Sequence, residues 1–479
     1  MSETATQLLH RLTSYSPELA WDQPQSDPRL VHGFTSNDMT RRPLSYKHYD
    51  LPRLSLPRDL PASTAPATSV VAGTAAVPTG SLDLRAVARL LYLSCGVTRT
   101  TERAGHRYLF RAAGSAGARF PLEAYLIVPD QAAGLPSGVH WYDPAEHALV
   151  QIAEHALGEC PTFVVTGVPW RTGWRYRERG WRHIYWDAGT MLAQLLAVAS
   201  SAGLDARLYT RFPDAEVATL VGADGVQEFP VAVVSLSSGS VSTPSLRPTS
   251  PVITGSFEPD AIEFPLVTSA QHAGDLIQLG HAWPLGAPVP TAAGGTGTLD
   301  EVVLRRGSTR LFAPTARLPL EMASAMLSAA LRGIEVPHWL AASRVSGLPA
   351  GLYRWPALDR PTRAGDLRQE LYAAALQQGL ARDASFVVLS AVDLADLDDR
   401  GYREAQLAAG LVAGRLHLMA YALGVGASGM TFQDSALAAL LGSEAAGLLW
   451  TCVGVPEYRS APGGAPGRPT TVRMIAPRL

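Results

Sequence analysis

"RGWRHIYWDAG", residues 179–189, returns 221 positions later as "RGYREAQLAAG", residues 400–410. Three further pairs flank it. "LDLRAVARLLYLS" (82–94) resembles "LPLEMASAMLSAA" (318–330), "GLPSGVHWY" (134–142) resembles "GLPAGLYRW" (347–355), and "VATLVG" (217–222) resembles "LAALLG" (437–442). Each match is weak alone. Four in one order at near-constant spacing point to two copies of one fold.

Local patterns repeat as well. Each copy opens with an amphipathic helix, expected over 82–94 and 318–332. Strand-like runs follow: 122–128 and 162–168 in the first copy, 385–392 in the second. Then comes an Ala- and Leu-rich helix with few charges, Tyr185–Ala202 and Arg403–Leu423, expected to be buried on most sides. A short helix (214–221, 434–441) precedes a last strand, "PVAVVSL" or "LLWTCVGV". The pattern is α+β with large central helices, not a regular βαβ alternation. Residues 1–60 read as an N-terminal extension, 61–235 as the first domain, 236–255 as a Ser/Thr/Pro-rich linker and 256–479 as the second domain.

With 479 residues, 47% apolar and 17% charged, the chain is globular and large enough for two domains. A net charge of −2 argues against non-specific nucleic-acid binding. No apolar run reaches the ~18–20 residues of a membrane span. The start, "MSETATQLLHRLTSYSPE", lacks the order of a secretory signal. Cys95, Cys160 and Cys452 are scattered, and the 12 histidines show no paired metal spacing. These features lead us to expect a cytoplasmic protein without disulfides or metal.

The copies differ where polar motifs lie. Copy two lacks 23 residues in the region where copy one carries "GSAGAR", since Leu82 to Gly134 spans 52 positions and Leu318 to Gly347 spans 29. Copy two carries "RRGSTR" (305–310), whereas an offset of 236 places its counterpart at "SVVAGTAA" (69–76), without arginine. Each copy keeps one motif and has lost the other, so one composite site is expected between them, with "GSAGAR" facing "RRGSTR". Three guanidinium groups and a hydroxyl around one glycine suit an anion. The alternative is a solvated helix end in which Arg305 and Arg306 offset the dipole. The small-residue loop suits close backbone approach to a ligand, with Ser115 and Arg119 as anchors, or it is a plain flexible loop.

These motifs resemble a known family. "RRGSTRLF" before a helix beginning Leu-Pro-Leu-Glu looks like the opening signature of nitroreductase-fold flavoenzymes. "GSAGARFPLE" followed by a strand and "GLPSGVHWY" resembles that fold's SagB-type branch, which contains the azoline dehydrogenases of thiazole/oxazole-modified peptides. "GYREAQLAAGLVAGRLHLMAYALGVGASGMTF" resembles the family's long helix and flavin-edge loop, and the likeness spans roughly 40–479. In that family FMN lies at a homodimer interface. The complementary losses then imply a fused pseudo-dimer, two tandem nitroreductase-like domains sharing one FMN. The resemblance implies that Arg305, Arg306, Ser308 and Arg310 hold the phosphate and ribityl chain. Gly429, Met430 and Thr431 would line the ring edge, Ser115, Gly117 and Arg119 would come from the other half, and Arg468 in "GGAPGRPTT" would reach the phosphate.

Flavin accepts hydride itself, and the protein supplies orientation and a base. The branch often carries Lys-Tyr before the long helix. Here that place reads Arg175-Tyr176. Arginine is no base at neutral pH, so Arg175 would favour a tyrosinate at Tyr176 or bind an acidic or carbonyl group of the substrate. Alternatively both are ordinary loop residues. "AGSAG" (113–117) departs from the GxSxG elbow by one residue, and no later His sits at a diagnostic spacing. Thr298 with Glu301 fits a capping box rather than a phosphate loop. Trp170, Trp174, Trp181 and Trp186 are expected in core or interface, with one or two walling a substrate channel.

The expected function is an FMN-dependent dehydrogenase oxidising an azoline in a ribosomal peptide or related natural product, with oxygen closing the cycle. A cyclodehydratase or another pathway enzyme would be a partner, and further homodimerisation is open. The alternatives are an NAD(P)H-dependent nitro or quinone reductase and a flavin-free scaffold of a peptide-modifying complex.

Overall fold

The computed structural model describes residues 3–17, 26–33, 35–103, 105–132, 134–239, 243–248, 250–257, 260–291, 294–476 and 478. Two antiparallel sheets carry the chain. The first runs Arg53–Ser55, Ala148–Ala153, Gly138–Asp143, Leu122–Val128, Thr162–Gly167, Phe229–Ser237, Asp205–Tyr209. The second runs Arg363–Ala364, Gly351–Arg354, His338–Ala342, Phe386–Val392, Ala446–Gly454, Gly426–Met430. The last five strands of each sheet follow one order. Even the bulge recurs, between Pro230 and Ala232 in the first and Leu389 and Ala391 in the second.

Two long helices, Gly180–Ser201 and Asp399–Ala422, cross at the centre. They cross where both lack a side chain. A Cβ on Gly189 would stand 2.3 Å from the Leu407 carbonyl oxygen, and one on Gly410 would stand 2.4 Å from that of Trp186. These glycines, 221 positions apart, mark a local two-fold axis. Trp181 stacks on Tyr402 beside it at 11°, and Trp186 Nε1 donates to Gln406 Oε1 at 2.6 Å. Apolar side chains of both halves merge into one core. That merging is the physical content of a pseudo-dimer: neither half buries its long helix without the other.

Both long helices start four or five residues before the sequence suggested. The charged "RGWR" and "RGYR" turns read as loop but are buried, because each finds an acid in the other half. Arg179 and Arg182 pair with Asp434, the latter at 2.7 Å. Arg400 and Arg403 pair with Asp214 at 2.8 and 3.1 Å. Both aspartates open the short helices, Asp214–Val221 and Asp434–Leu441, where the dipole also favours negative charge.

The N-terminal segment belongs to this symmetry. Helix Ala5–Leu12 is followed by Tyr15, which exchanges two backbone–carboxylate and backbone–backbone bonds with Asp434, both 2.8 Å. Helix Pro265–Ala273 is followed by Leu276, which does the same with Asp214. His10 bonds Tyr402, and Gln271 accepts from Trp181, the residue equivalent to Tyr402. The two helices therefore play one role in the two halves.

Other expectations shift. The stretch 61–80 contains a buried helix, Ala67–Ala72. It pairs with the helix Leu299–Arg305 through Pro66 and Thr298, which sets the local offset at 232 rather than 236. The counterpart of "RRGSTR" is then "GTAAVP" (73–78), still without arginine. Residues 243–248 and 250–256 form a strap across the first sheet, with Arg247 and Pro248 paired to 156–157 and Ile253 bonding Ile152. Thr298 and Glu301 make the expected capping box. The material absent from copy two is a hairpin, Val97–Arg103 and His106–Arg111, and the small-residue loop after it. No helix is long and apolar enough among the described residues to cross a membrane.

Candidate functional site

The hairpin ends at Arg111, and the loop that follows turns toward the second half. Ala116–Ala118 form one tight turn, with Gly117, Ala118 and Phe120 all in the left-handed region. Backbone strain of this kind persists only where neighbours fix it. Here Asp187 does so from the long helix. It accepts from the Ser115 hydroxyl and from the Ala116 amide at 2.9 Å, while Ser115 Oγ accepts from Phe120 N at 2.8 Å. Asp187 has no cation beside it, and burial lifts its carboxyl to about 7. Its equivalent in the second long helix is Ala408.

"GSAGAR" and "RRGSTR" meet across the two halves. Arg306 caps the helix Leu299–Arg305 and is 3% exposed. One guanidinium nitrogen donates to the Ala112 carbonyl, while Nε and Nη1 have no partner. Burial and neighbouring Arg99 lower its pKa to about 10. A Cβ on Gly114 would lie 3.4 Å from Arg306 Nη1 and 3.6 Å from Ser308 Oγ. A buried cation with two idle donors, facing a hydroxyl and a backbone without a side chain, is a cradle for an anion.

Arg99 builds this cradle and was missed by sequence reasoning. Its donors go to the carbonyls of Ala461 and Arg306, at 2.9 and 3.0 Å, and to that of Leu304. The C-terminal segment closes behind it, with Gly463 N donating to Leu304 and Gly464 N to Thr98. Tyr421 and Tyr458 stand at the turn; Tyr458 accepts from Arg310 N at 2.9 Å. Asp187 was also missed, although it is the lone charge between Ile184 and Ser201 and so left a signal.

The loop's far side meets the residues expected to be catalytic. A Cβ on Gly117 would come 2.5 Å from the Tyr176 hydroxyl and 3.1 Å from Arg175 Cδ. Both residues lie on a helix, Pro169–Tyr176, started by proline at its first position, and not in a loop. Arg175 and Arg119 pull the Tyr176 pKa down, but burial outweighs them and raises it. That direction is away from the tyrosinate considered from sequence. Its ring meets His183 edge-on at 4.2 Å, and both His183 nitrogens are buried without partners. Arg119 lies over the Trp174 ring at 4.7 Å.

Four expected ligand residues lie elsewhere or face otherwise. Arg305 is exposed and donates to Thr296 at 3.1 Å, because its place on the last helical turn points it back along its own helix. Arg468 is exposed in a turn closed on Ala465, and no hydrogen bond or ion pair joins it to the cluster among the described residues. The expected edge loop is a strand, Gly426–Met430, pairing with Ala446–Gly454. Strand alternation turns Met430 into the core with Phe432 and Trp450, while a Cβ on Gly429 would meet only Leu449 Cδ1, at 3.9 Å. Thr431 keeps a buried, unpartnered hydroxyl. Among the described residues no three His, Cys, Asp or Glu side chains are grouped to hold a metal. All three cysteines are buried and free.

Residues 123–239 match the nitroreductase family model. The chain is 27% identical over 168 residues to a nitroreductase homologue of Methanocaldococcus jannaschii, covering 32% of this chain and 79% of that one. It is also 27% identical over 223 residues to the trifolitoxin-processing protein of Rhizobium leguminosarum bv. trifolii, covering 42% of this chain and 60% of the relative. In fold it resembles the crystal structure of a nitroreductase-like protein from Anabaena variabilis. That match has a TM-score of 0.72 at 23% identity and covers 95% of this chain and all of the other. The nitroreductase fold therefore extends over both halves, beyond the segment the family model reaches.

Proposed function

We propose that the protein is an FMN-dependent dehydrogenase with one composite flavin site per chain, oxidising a thiazoline or oxazoline in a ribosomal peptide or related natural product. The observation that carries the flavin reading is Arg306, a buried guanidinium whose Nε and Nη1 have no partner among the described residues, with Nη1 beside Gly114 of the small-residue loop and Ser308 Oγ close to the same glycine. An FMN phosphate supplies the missing acceptors, and oxidised flavin supplies a hydride acceptor. Ser308 and Arg306 would hold the phosphate end. The Tyr176 hydroxyl holds a proton beside Gly117, where it can hydrogen-bond a ring nitrogen or carbonyl.

Likeness to the trifolitoxin-processing protein supports a role in peptide maturation; a cyclodehydratase-type partner and oxygen as electron acceptor belong to the same proposal. The second reading, a nitro or quinone reductase, is favoured by the match over 79% of the M. jannaschii relative. Two measurements separate these. The FMN-to-chain ratio should be near one, and Arg306→Ala should lower it at least tenfold in affinity, as expected when a charge-assisted phosphate contact of about 1.5–3 kcal/mol is lost. Aerobic incubation with a thiazoline peptide should then remove two hydrogens without NADPH. A ratio near two refutes the single site, and turnover that requires NADPH and a nitroaromatic refutes the dehydrogenase.

A further inference from the structure

Apart from Arg306, buried arginines elsewhere spend their donors on acids or, as Arg99, Arg111, Arg344 and Arg415 do, on backbone carbonyls. Arg89, Arg171, Arg179, Arg182, Arg400 and Arg403 all form ion pairs. Around the far side of the small-residue loop this pattern breaks. Arg42, Arg119, Arg175 and Arg310 are half-buried, and among the described residues none forms an ion pair. They come from four parts of the chain: the turn after Met39–Arg41, the loop itself, the helix Pro169–Tyr176, and the second half. Arg119 and Arg175 meet at Gly117, whose carbonyl accepts from Arg119 Nε at 3.2 Å and whose Cβ would stand 3.1 Å from Arg175 Cδ. Three lie on aromatic rings. Arg42 lies 4.2 Å from the Tyr108 centroid, Arg119 4.7 Å from that of Trp174, and Arg175 5.5 Å from that of Tyr176. A ring beneath a guanidinium fixes its plane and leaves its N–H edge free.

The like charges act on one another. Burial, then Arg42 and then Arg175 depress Arg119 to about 10, while burial and, more weakly, Arg175 depress Arg310. The acid that acts on Tyr176, Asp187, is committed to Ser115 and Ala116. Folding does not hold such a group together for its own sake, because repulsion and desolvation both oppose it. An FMN phosphate at Arg306 does not answer it either: the Arg306 end has its own neighbours, Arg99 and Tyr421, whereas Arg119, Arg175 and Arg310 group around Tyr176.

We propose that this arginine cluster is a substrate subsite, and that the substrate presents a carboxylate beside the ring that is oxidised. The assignment rests on the reading that the Arg306 end holds the flavin phosphate. A carboxylate fits because three of the four guanidinium groups are held by their rings in planes suited to bidentate contact. It names a substrate class within the proposed reaction: an azoline flanked by an acidic side chain or a free terminal carboxylate.

Calorimetric titration of the FMN-loaded chain with benzoate and with benzamide tests this without turnover. Benzoate is expected to bind at least tenfold more tightly at low salt, and the advantage should shrink as ionic strength rises. Arg42→Gln and Arg119→Gln together should bring the two ligands to within about twofold. Equal binding in the unaltered chain overturns the proposal, as does an advantage that survives the double variant. Displacement of benzoate by pyrophosphate at lower concentrations than benzoate itself requires also overturns it, since the subsite would then be one for nucleotide phosphates. The FMN-to-chain ratio of the same samples reports the flavin reading separately: a flavin-loaded chain indifferent to carboxylate sinks only the subsite.

Discussion

Gly410→Ala tests the crossing on which the whole assembly depends. In an unencumbered helix this change gains about 1 kcal/mol of propensity. Here the new Cβ would stand 2.4 Å from the Trp186 carbonyl oxygen, 2.9 Å from its Cα and 3.0 Å from Gly189 Cα. All three atoms are backbone, so no rotamer change relieves the contact. An unstrained carbon contact needs roughly 3.5 Å, so the helices must part by about 1 Å. A gap of that size forfeits a quarter to a half of each dispersion contact along the interface. Overpacking of this kind costs about 1–3 kcal/mol, and an unyielding backbone puts this case at the upper end. Net of propensity we expect about 2 kcal/mol of destabilisation, read from the urea midpoint at constant slope. Because the composite site spans the same interface, FMN content should fall with it. Gly189→Ala should behave alike, since its Cβ would meet Leu407 O at 2.3 Å. An unchanged or raised midpoint in either variant would refute the close crossing, and a large difference between the two would refute its two-fold character.

Other expectations concern charge. Asp434 is held well below the ordinary carboxylate range by Arg179 and Arg182 against the cost of burial, so its contribution is present above pH ~4 and is lost as pH falls below that. Asp434→Asn should cost about 3–5 kcal/mol at pH 7 by stranding two buried arginines; acid and urea unfolding measure it, and Asp214→Asn should match it. Asp187 runs the other way. Its folded pKa, raised to about 7, means the stability it allows is full below pH ~4 and declines as pH climbs through 7, by roughly 4 kcal/mol at most. Asp187→Asn should flatten that slope in flavin-free protein while loosening the Ser115 loop, seen as weaker FMN binding. Equal slopes for the two proteins would refute the assignment of a buried, uncompensated acid. Thr298→Ala should cost about 1 kcal/mol through loss of the capping box, read as a shift in midpoint.

The repeat was legible because both copies must solve one packing problem. The long helices need glycine at the crossing and arginine at the entry, and Arg179, Arg182, Gly189, Arg400, Arg403 and Gly410 survive as visible matches. Complementary loss of "RRGSTR" and "GSAGAR" was likewise a one-dimensional fact. It predicted a meeting of Gly114 with Arg306 that no local pattern could have shown. What stayed hidden depends on partners far away in the chain. The helices Ala5–Leu12 and Pro265–Ala273 share a role but almost no residues, because only their contacts, His10 to Tyr402 and Gln271 to Trp181, are alike. Nothing in the order of residues separates Arg305, turned to solvent, from Arg306, sealed under the loop. One step along a helix end rotates a side chain by about 100°, and only the other half of the molecule decides which direction is inside. The sequence by itself determined two like halves and two complementary motifs, one in each half. Tertiary structure decided which arginines find acids and which are left waiting for an anion, because that depends on what burial brings within reach.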